Sequence, residues 1–213
     1  MLRLNNSLIA DVNPASHVSE SFRSLRTYIR QLGLLQGSGG RVLLFTSAEG
    51  GEGKTTILSN LAVSFVQDGK KVAVVDCNLR NPGLDTVFGV DGSNGLAAYL
   101  GGQKEADEIS LLGNLANLSI IPAGQTSVSP PDLLGSDKMT ALLEELRGSH
   151  DLILLDSPPA VEYSDARILA SQVDGVILVA RHGKSKRDAL RKVKVLLEQA
   201  GSKILGIAMN QAK

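Results

Sequence analysis

The chain has no tryptophan, three tyrosines, four phenylalanines and a single cysteine, Cys77, in 213 residues. One cysteine excludes internal disulfides and cysteine-based metal clusters. So few rings leave Val, Leu, Ile and Ala to build the interior, which suits buried parallel strands covered by helices. No apolar run approaches the roughly 18 residues that a bilayer span needs. The opening Met1-Leu-Arg-Leu-Asn-Asn-Ser lacks the apolar middle of a signal peptide. A cytoplasmic location is the expectation. An excess of one charge is missing too: 22 Lys and Arg balance 22 Asp and Glu. Net charge therefore gives no general attraction to nucleic acid, and no nucleic-acid partner is expected. His17, His150 and His182 are scattered without metal-ligand spacing. With 43% hydrophobic and 21% charged residues, the composition is that of a folded chain, and the length fits one full-sized domain with little left over.

Short, nearly uniformly apolar runs recur at 41–46, 71–76, 118–121, 152–156, 175–180 and 204–209. Between them, helical spacing predicts helices over 54–67, 94–100, 136–147, 164–171 and 186–199. Strand, turn and helix in alternation predict a doubly wound α/β fold with a mostly parallel sheet. Ahead of the first strand, Phe22, Leu25, Ile29 and Leu32 mark an amphipathic helix over 19–34. Gly37-Ser-Gly-Gly40 then breaks the pattern, making this an added N-terminal helix. The longest loop, 122–131, is a candidate for site work or contacts. Lys184, Lys186, Arg187, Arg191, Lys192 and Lys194 form one basic stretch, read as a solvated helix face or a contact for lipid or an acidic partner.

Ser47-Ala-Glu-Gly-Gly-Glu-Gly-Lys54-Thr55-Thr56 stands between a predicted strand and a predicted helix, where a phosphate-binding loop has to be. Gly50, Gly51 and Gly53 allow the positive φ angles that turn successive N–H groups inward, with Glu52 among them, and the following helix adds its N-terminal dipole. Lys54 is expected to reach the β and γ phosphates, Thr55 to place its hydroxyl on magnesium, and Thr56 to donate to an α-phosphate oxygen. The metal's acidic partners are expected at the carboxyl ends of neighbouring strands. Two apolar strands end in Asp76 and Asp156, the latter followed by Ser-Pro-Pro159. An Asp closing an apolar strand needs a cation or a cap to meet. The division this suggests is an N-terminal segment over 1–38 and a nucleotide-binding domain over 39–213.

Together these segments resemble the P-loop protein tyrosine autokinases of bacteria, which control capsule and exopolysaccharide export. The resemblance covers nearly the whole chain. It rests on the phosphate loop Gly50-Gly-Glu-Gly-Lys54-Thr55, an Asp76-x-Asn78-x-Arg80 strand end like the family's Asp-x-Asp-x-Arg, and Asp156-Ser-Pro-Pro159. Ile121-Pro-Ala-Gly-Gln-Thr-Ser-Val-Ser-Pro-Pro-Asp-Leu-Leu134, Ser164-Asp-Ala-Arg167 and Val173-Asp-Gly-Val-Ile-Leu-Val179 resemble later family segments. Glu20-Ser-Phe-Arg23-Ser-Leu-Arg26 matches the family's Glu-x-x-Arg-x-x-Arg oligomerisation signature. On spacing alone, Glu20, Arg23 and Arg26 are neighbours on one side of a helix, which fits an ordinary intrahelical pair as well as a contact between subunits. The resemblance implies a P-loop NTPase of the deviant Walker (MinD/ParA-like) type, with ATP and Mg2+ as cofactors and tyrosine phosphorylation as the reaction. Lys54, Asp76 and Asp156 are then the catalytic residues, Thr55, Asp76 and Asp156 the metal ligands, and Asn210 an adenine contact. Implied partners are a transmembrane activator that recruits the chain to the inner face of the membrane, a protein tyrosine substrate and further copies of the chain in a ring.

Several positions depart from the pattern. Asn78 replaces the second family Asp and cannot take a proton, so nucleotide binding is expected to survive better than catalysis. Asp76 becomes the candidate for handling the acceptor hydroxyl. Arg80 is left open between an acidic partner, a neighbouring subunit and solvent. The family's terminal tyrosine cluster has no counterpart in this sequence, which holds only Tyr28, Tyr99 and Tyr163. Glu49 stands where partition-type ATPases carry a signature lysine, which argues against their sandwich dimer. A nucleotide-switched ATPase and a catalytically weakened scaffold remain as alternatives to a kinase.

Overall fold

The computed structural model describes residues 8–113 and 115–211. In chain order the elements are α1 (Ile9–Val12), α2 (His17–Gln31), β1 (Arg41–Ser47), α3 (Lys54–Gln67), β2 (Val72–Asp76), α4 (Leu84–Phe88) and α5 (Leu96–Leu100). There follow α6 (Ala106–Ile109), β3 (Leu111–Leu112), β4 (Leu118–Ile121), α7 (Pro130–Leu134), α8 (Asp137–Ser149) and β5 (Leu152–Asp156). The chain continues through α9 (Asp165–Ala170), β6 (Gly175–Arg181), α10 (Arg187–Gln199) and β7 (Ile204–Asn210). All seven strands form one sheet in the order β3-β4-β2-β5-β1-β6-β7. Every pairing is parallel except that of the short edge strand β3 with β4.

Alternation along β1 divides the interior in two. Val42 and Leu44 face a core shared with α7, α8 and α9, while Leu43 and Phe45 face one shared with α1, α2 and α3. Both faces are covered, which explains why the strands read as continuous apolar runs. The topology places chemistry at one end. β1 lies between β5 and β6, and the chain leaves it first toward β2 and later returns to β6, so the carboxyl end of β1 is a switch point.

Helix α2 starts where Ser16 caps it, its hydroxyl oxygen accepting the Ser19 N–H at 3.1 Å. Its apolar stripe lies on the α3 side of the molecule, with Ile29 wholly buried beside Leu8 and Ala10. Charge anchors it as well: Arg26 donates to the Ser64 carbonyl of α3, and Arg30 pairs with Asp68 at 2.7 Å. The single charged face expected for Glu20, Arg23 and Arg26 is therefore divided. Arg23 pairs with Glu20 at 2.7 Å and donates to the Pro14 carbonyl, but Arg26 is turned onto α3. Three-residue steps explain this, since two of them leave Arg26 about 120° round the helix from Glu20.

The long loop after β4 has its own structure. Pro130 and Pro131 open α7, where a missing N–H costs nothing. Ahead of it, the Pro122 and Ala123 carbonyls accept the N–H groups of Leu96 and Ala97, tying the loop to α5. A Cβ at Gly95 would stand 2.1 Å from the Pro122 oxygen, so this approach requires glycine. The loop packs α5 and does not line the cavity at the end of β1.

Candidate active site

The phosphate loop joins β1 directly to α3, and its shape depends on two left-handed glycines, Gly51 at φ +73° and Gly53 at φ +94°. A Cβ on Gly53 would lie 2.0 Å from Asn210 Nδ2, so the end of β7 presses directly against the loop. Asn210 donates from Nδ2 to the Glu52 carbonyl at 3.0 Å. Expected at the adenine, this amide braces the loop through Nδ2 and leaves Oδ1 as an acceptor. Glu52 is buried, with its carboxylate accepting the Ser185 hydroxyl and the Glu49 N–H. Its contribution to a phosphate is therefore confined to the main chain. Glu49 is exposed, and its carbonyl accepts the Ser47 hydroxyl at 2.7 Å.

Lys54 is only 7% exposed and donates from Nζ to Ser47 Oγ at 2.9 Å. Burial lowers its pKa, and the charges of Asp156, Glu52 and Glu162 oppose that shift. Thr55 donates its hydroxyl to Asp156 Oδ2. Asp156 and Asp76 end adjacent strands and stand opposite one another in the register of β2 and β5. Burial first, then the Asp76 charge, push the Asp156 carboxyl up to about 7.

Asp76 differs from the sequence expectation. One oxygen accepts the Asn78 N–H at 3.0 Å, the other the N–H groups of Gly83 and Leu84 at 2.9 and 3.0 Å. Wholly buried, it holds the turn after β2 and the start of α4. Burial raises its pKa although the three N–H bonds favour the ionised form. Asn78 closes on Asn81, donating to its carbonyl at 2.7 Å and accepting its N–H at 3.3 Å. Arg80 takes the first of its three options: it holds Asp165 at 2.9 and 3.3 Å, with its guanidinium 4.3 Å from the Tyr163 ring centre. Cys77 is a buried thiol whose pKa burial raises, consistent with a small hydrophobe.

A cavity of 630 Å3 opens over these groups, lined by Gly50, Gly51, Gly53, Lys54 and Thr55 on one side and by Asn78, Arg80, Glu162 and Tyr163 on the other. A magnesium nucleotide fits the residues present. Asp156 Oδ1 is buried and finds no hydrogen-bond donor among the described residues. An orphaned carboxylate oxygen beside a threonine hydroxyl suits a hard cation, and the left-handed glycines turn N–H groups toward phosphate.

Residues 40–198 match the family described as an AAA domain. Over 211 residues the sequence is 34% identical to tyrosine-protein kinase YwqD of Bacillus subtilis, covering 99% of this chain and 88% of that protein. The chain belongs to the bacterial tyrosine-protein kinases. The solved kinase domain of Escherichia coli tyrosine kinase ETK superposes with a TM-score of 0.90 at 32% identity, covering 95% of this chain and 79% of that one. The septum site-determining protein MinD of Pyrococcus horikoshii, solved with Mg-ADP, has a TM-score of 0.69 at 30% identity over 81% of this chain and 70% of its own. The family thus shares its P-loop fold with the MinD-type ATPases. Among the described residues no helix is long and apolar enough to cross a membrane.

Sequence reasoning missed Ser185 and Glu162. Ser185 begins no motif, yet its hydroxyl holds Glu52 from the turn between β6 and α10. Glu162 sits in the turn after Pro159 with no periodicity to mark it, and only the cavity reveals it.

Proposed function

We propose that the chain transfers the γ-phosphoryl group of Mg-ATP to tyrosine hydroxyls and so regulates capsular or extracellular polysaccharide synthesis and export. One observation carries this most directly: Lys54, Thr55 and Asp156 meet beneath the left-handed turn of the phosphate loop, and one Asp156 oxygen is left for a cation. Thr55 and Asp156 would hold magnesium, which would supply positive charge against that of the phosphates. The N–H groups of residues 50–54 receive the phosphates, and Thr56 lies next along the helix for the α-phosphate. Lys54, kept dry by burial, places its charge where negative charge develops on the leaving and transferring oxygens. Asn210 Oδ1 we assign as a hydrogen-bond acceptor for the adenine. Asp76 we assign to the frame: it fixes the turn bearing Asn78 and Arg80 and raises the proton affinity of Asp156.

By analogy with the family, a transmembrane activator recruits the chain to the inner face of the membrane, and Glu20 and Arg23 on α2 contribute to a ring of copies. Their present partners are local, and an exposed pair of this kind is worth little, so exchanging it for a contact across subunits costs little. Purified chain, Mg-ATP and a random glutamate–tyrosine copolymer test the reaction, with phosphotyrosine read beside released phosphate. Phosphotyrosine is expected from the parent and neither signal from Lys54→Met. Phosphate release without phosphotyrosine would favour a nucleotide-switched ATPase instead.

A further inference from the structure

Glu162 is exposed in the turn between Pro159 and α9 and lines the phosphate-loop cavity together with Lys54 and Thr55. Among the described residues lining that cavity it is the sole Asp or Glu. The buried carboxylates at this end of the sheet are engaged. Asp76 is wholly buried with both oxygens on main-chain N–H groups. Asp156 accepts the Thr55 hydroxyl, and its remaining oxygen suits the cation. Asp165, 1% exposed, holds Arg80 through both oxygens, and Glu52 is taken by Ser185 and Glu49. Asn78 has no group that accepts a proton. Glu162, by contrast, makes no hydrogen bond or ion pair to another described residue, yet its charge acts on the Lys54 ammonium.

We propose that Glu162 is the carboxylate that takes the proton from the acceptor tyrosine, and that Tyr163 beside it forms the wall against which the acceptor ring packs. This rests on the kinase reading. The acceptor's O–H bond breaks and its proton passes to a Glu162 oxygen. A new bond joins the acceptor oxygen to the γ-phosphorus, and the bond from that phosphorus to the β,γ-bridging oxygen breaks, releasing ADP. Being exposed, Glu162 then returns the proton to solvent. Tyr163 suits the second role because Arg80, fixed by Asp165, lies 4.3 Å from its ring centre, while the half-buried ring still lines the cavity. Aromatic side chains pair readily with such an edge or face.

The test uses the full chain, Mg-ATP and the glutamate–tyrosine copolymer. Glu162→Gln is expected to lower kcat on the order of 10²-fold, while the KM for ATP and the Kd of a non-hydrolysable ATP analogue stay within about two-fold. Glu162→Asp should recover part of the rate that Glu162→Gln loses. Tyr163→Ala should raise the copolymer KM, and Tyr163→Phe should not. Parent-like kcat in Glu162→Gln, or a loss of nucleotide affinity in step with rate, overturns the assignment; if Lys54→Met is silent at the same time, the kinase reading stands. Absence of phosphotyrosine from the parent overturns both.

Discussion

At position 53 the phosphate loop has no room for a side chain. Gly53 is left-handed at φ +94°, and its Cβ would meet Asn210 Nδ2 at 2.0 Å. Gly53→Ala is expected to cost about 1–3 kcal/mol in strain and to remove nucleotide binding, read by urea unfolding and by calorimetry. The buried acid beside it makes a second prediction. The Asp156 pKa is about 7 in the folded chain against 3.8 for a free carboxyl, so between those values the folded state holds the extra proton. Without nucleotide, the stability it contributes falls as pH rises from about 4 to about 7 and then levels. Asp156→Asn should therefore exceed the parent in urea midpoint by a margin that widens from pH 4 to pH 8. A constant margin would show that the carboxyl is not raised.

At the level of elements, α2 is part of the packed structure. Ile29 is wholly buried within it, and Ile29→Ala is expected to cost about 2–5 kcal/mol on urea unfolding. Arg23 and Arg26 separate by experiment. Arg26→Ala removes the donor to the Ser64 carbonyl and a charge near Asp68 and should destabilise by about 1 kcal/mol. Glu20→Ala with Arg23→Ala should leave stability unchanged and shift light scattering toward the monomer; an undiminished mass would reject the role of this pair in assembly. The sequence made the long elements legible because their periodicity is strong. Helix α3 and strands β4 and β5 fall at the expected limits, whereas β3, two residues long, carries no pattern to read. Helix α7 was readable in principle from Pro130-Pro131 at its first turn. Of the site, Lys54, Thr55 and Asp156 were legible because loop and strand ends carry them. The saturation of Asp76 was not, since it depends on where residues 83 and 84 return in space.

At the scale of the molecule, the order of strands does most to create the site. With β5 between β1 and β2, Asp156 ends beside Asp76 on one side and in register with Phe45 of β1 on the other, so phosphate loop and acid meet over one edge of the sheet. The turns after β2 and β5 then close the cavity from the opposite side, bringing Arg80, Glu162 and Tyr163 to it. The central claim is that this cavity holds a magnesium nucleotide through the loop and Asp156. Calorimetric titration of a non-hydrolysable ATP analogue into the full chain, with and without magnesium, tests it most directly. One site per chain is predicted, tightened by magnesium in the parent and indifferent to magnesium in Asp156→Asn; no heat of binding in the parent, or an equal magnesium effect in the variant, would contradict the account.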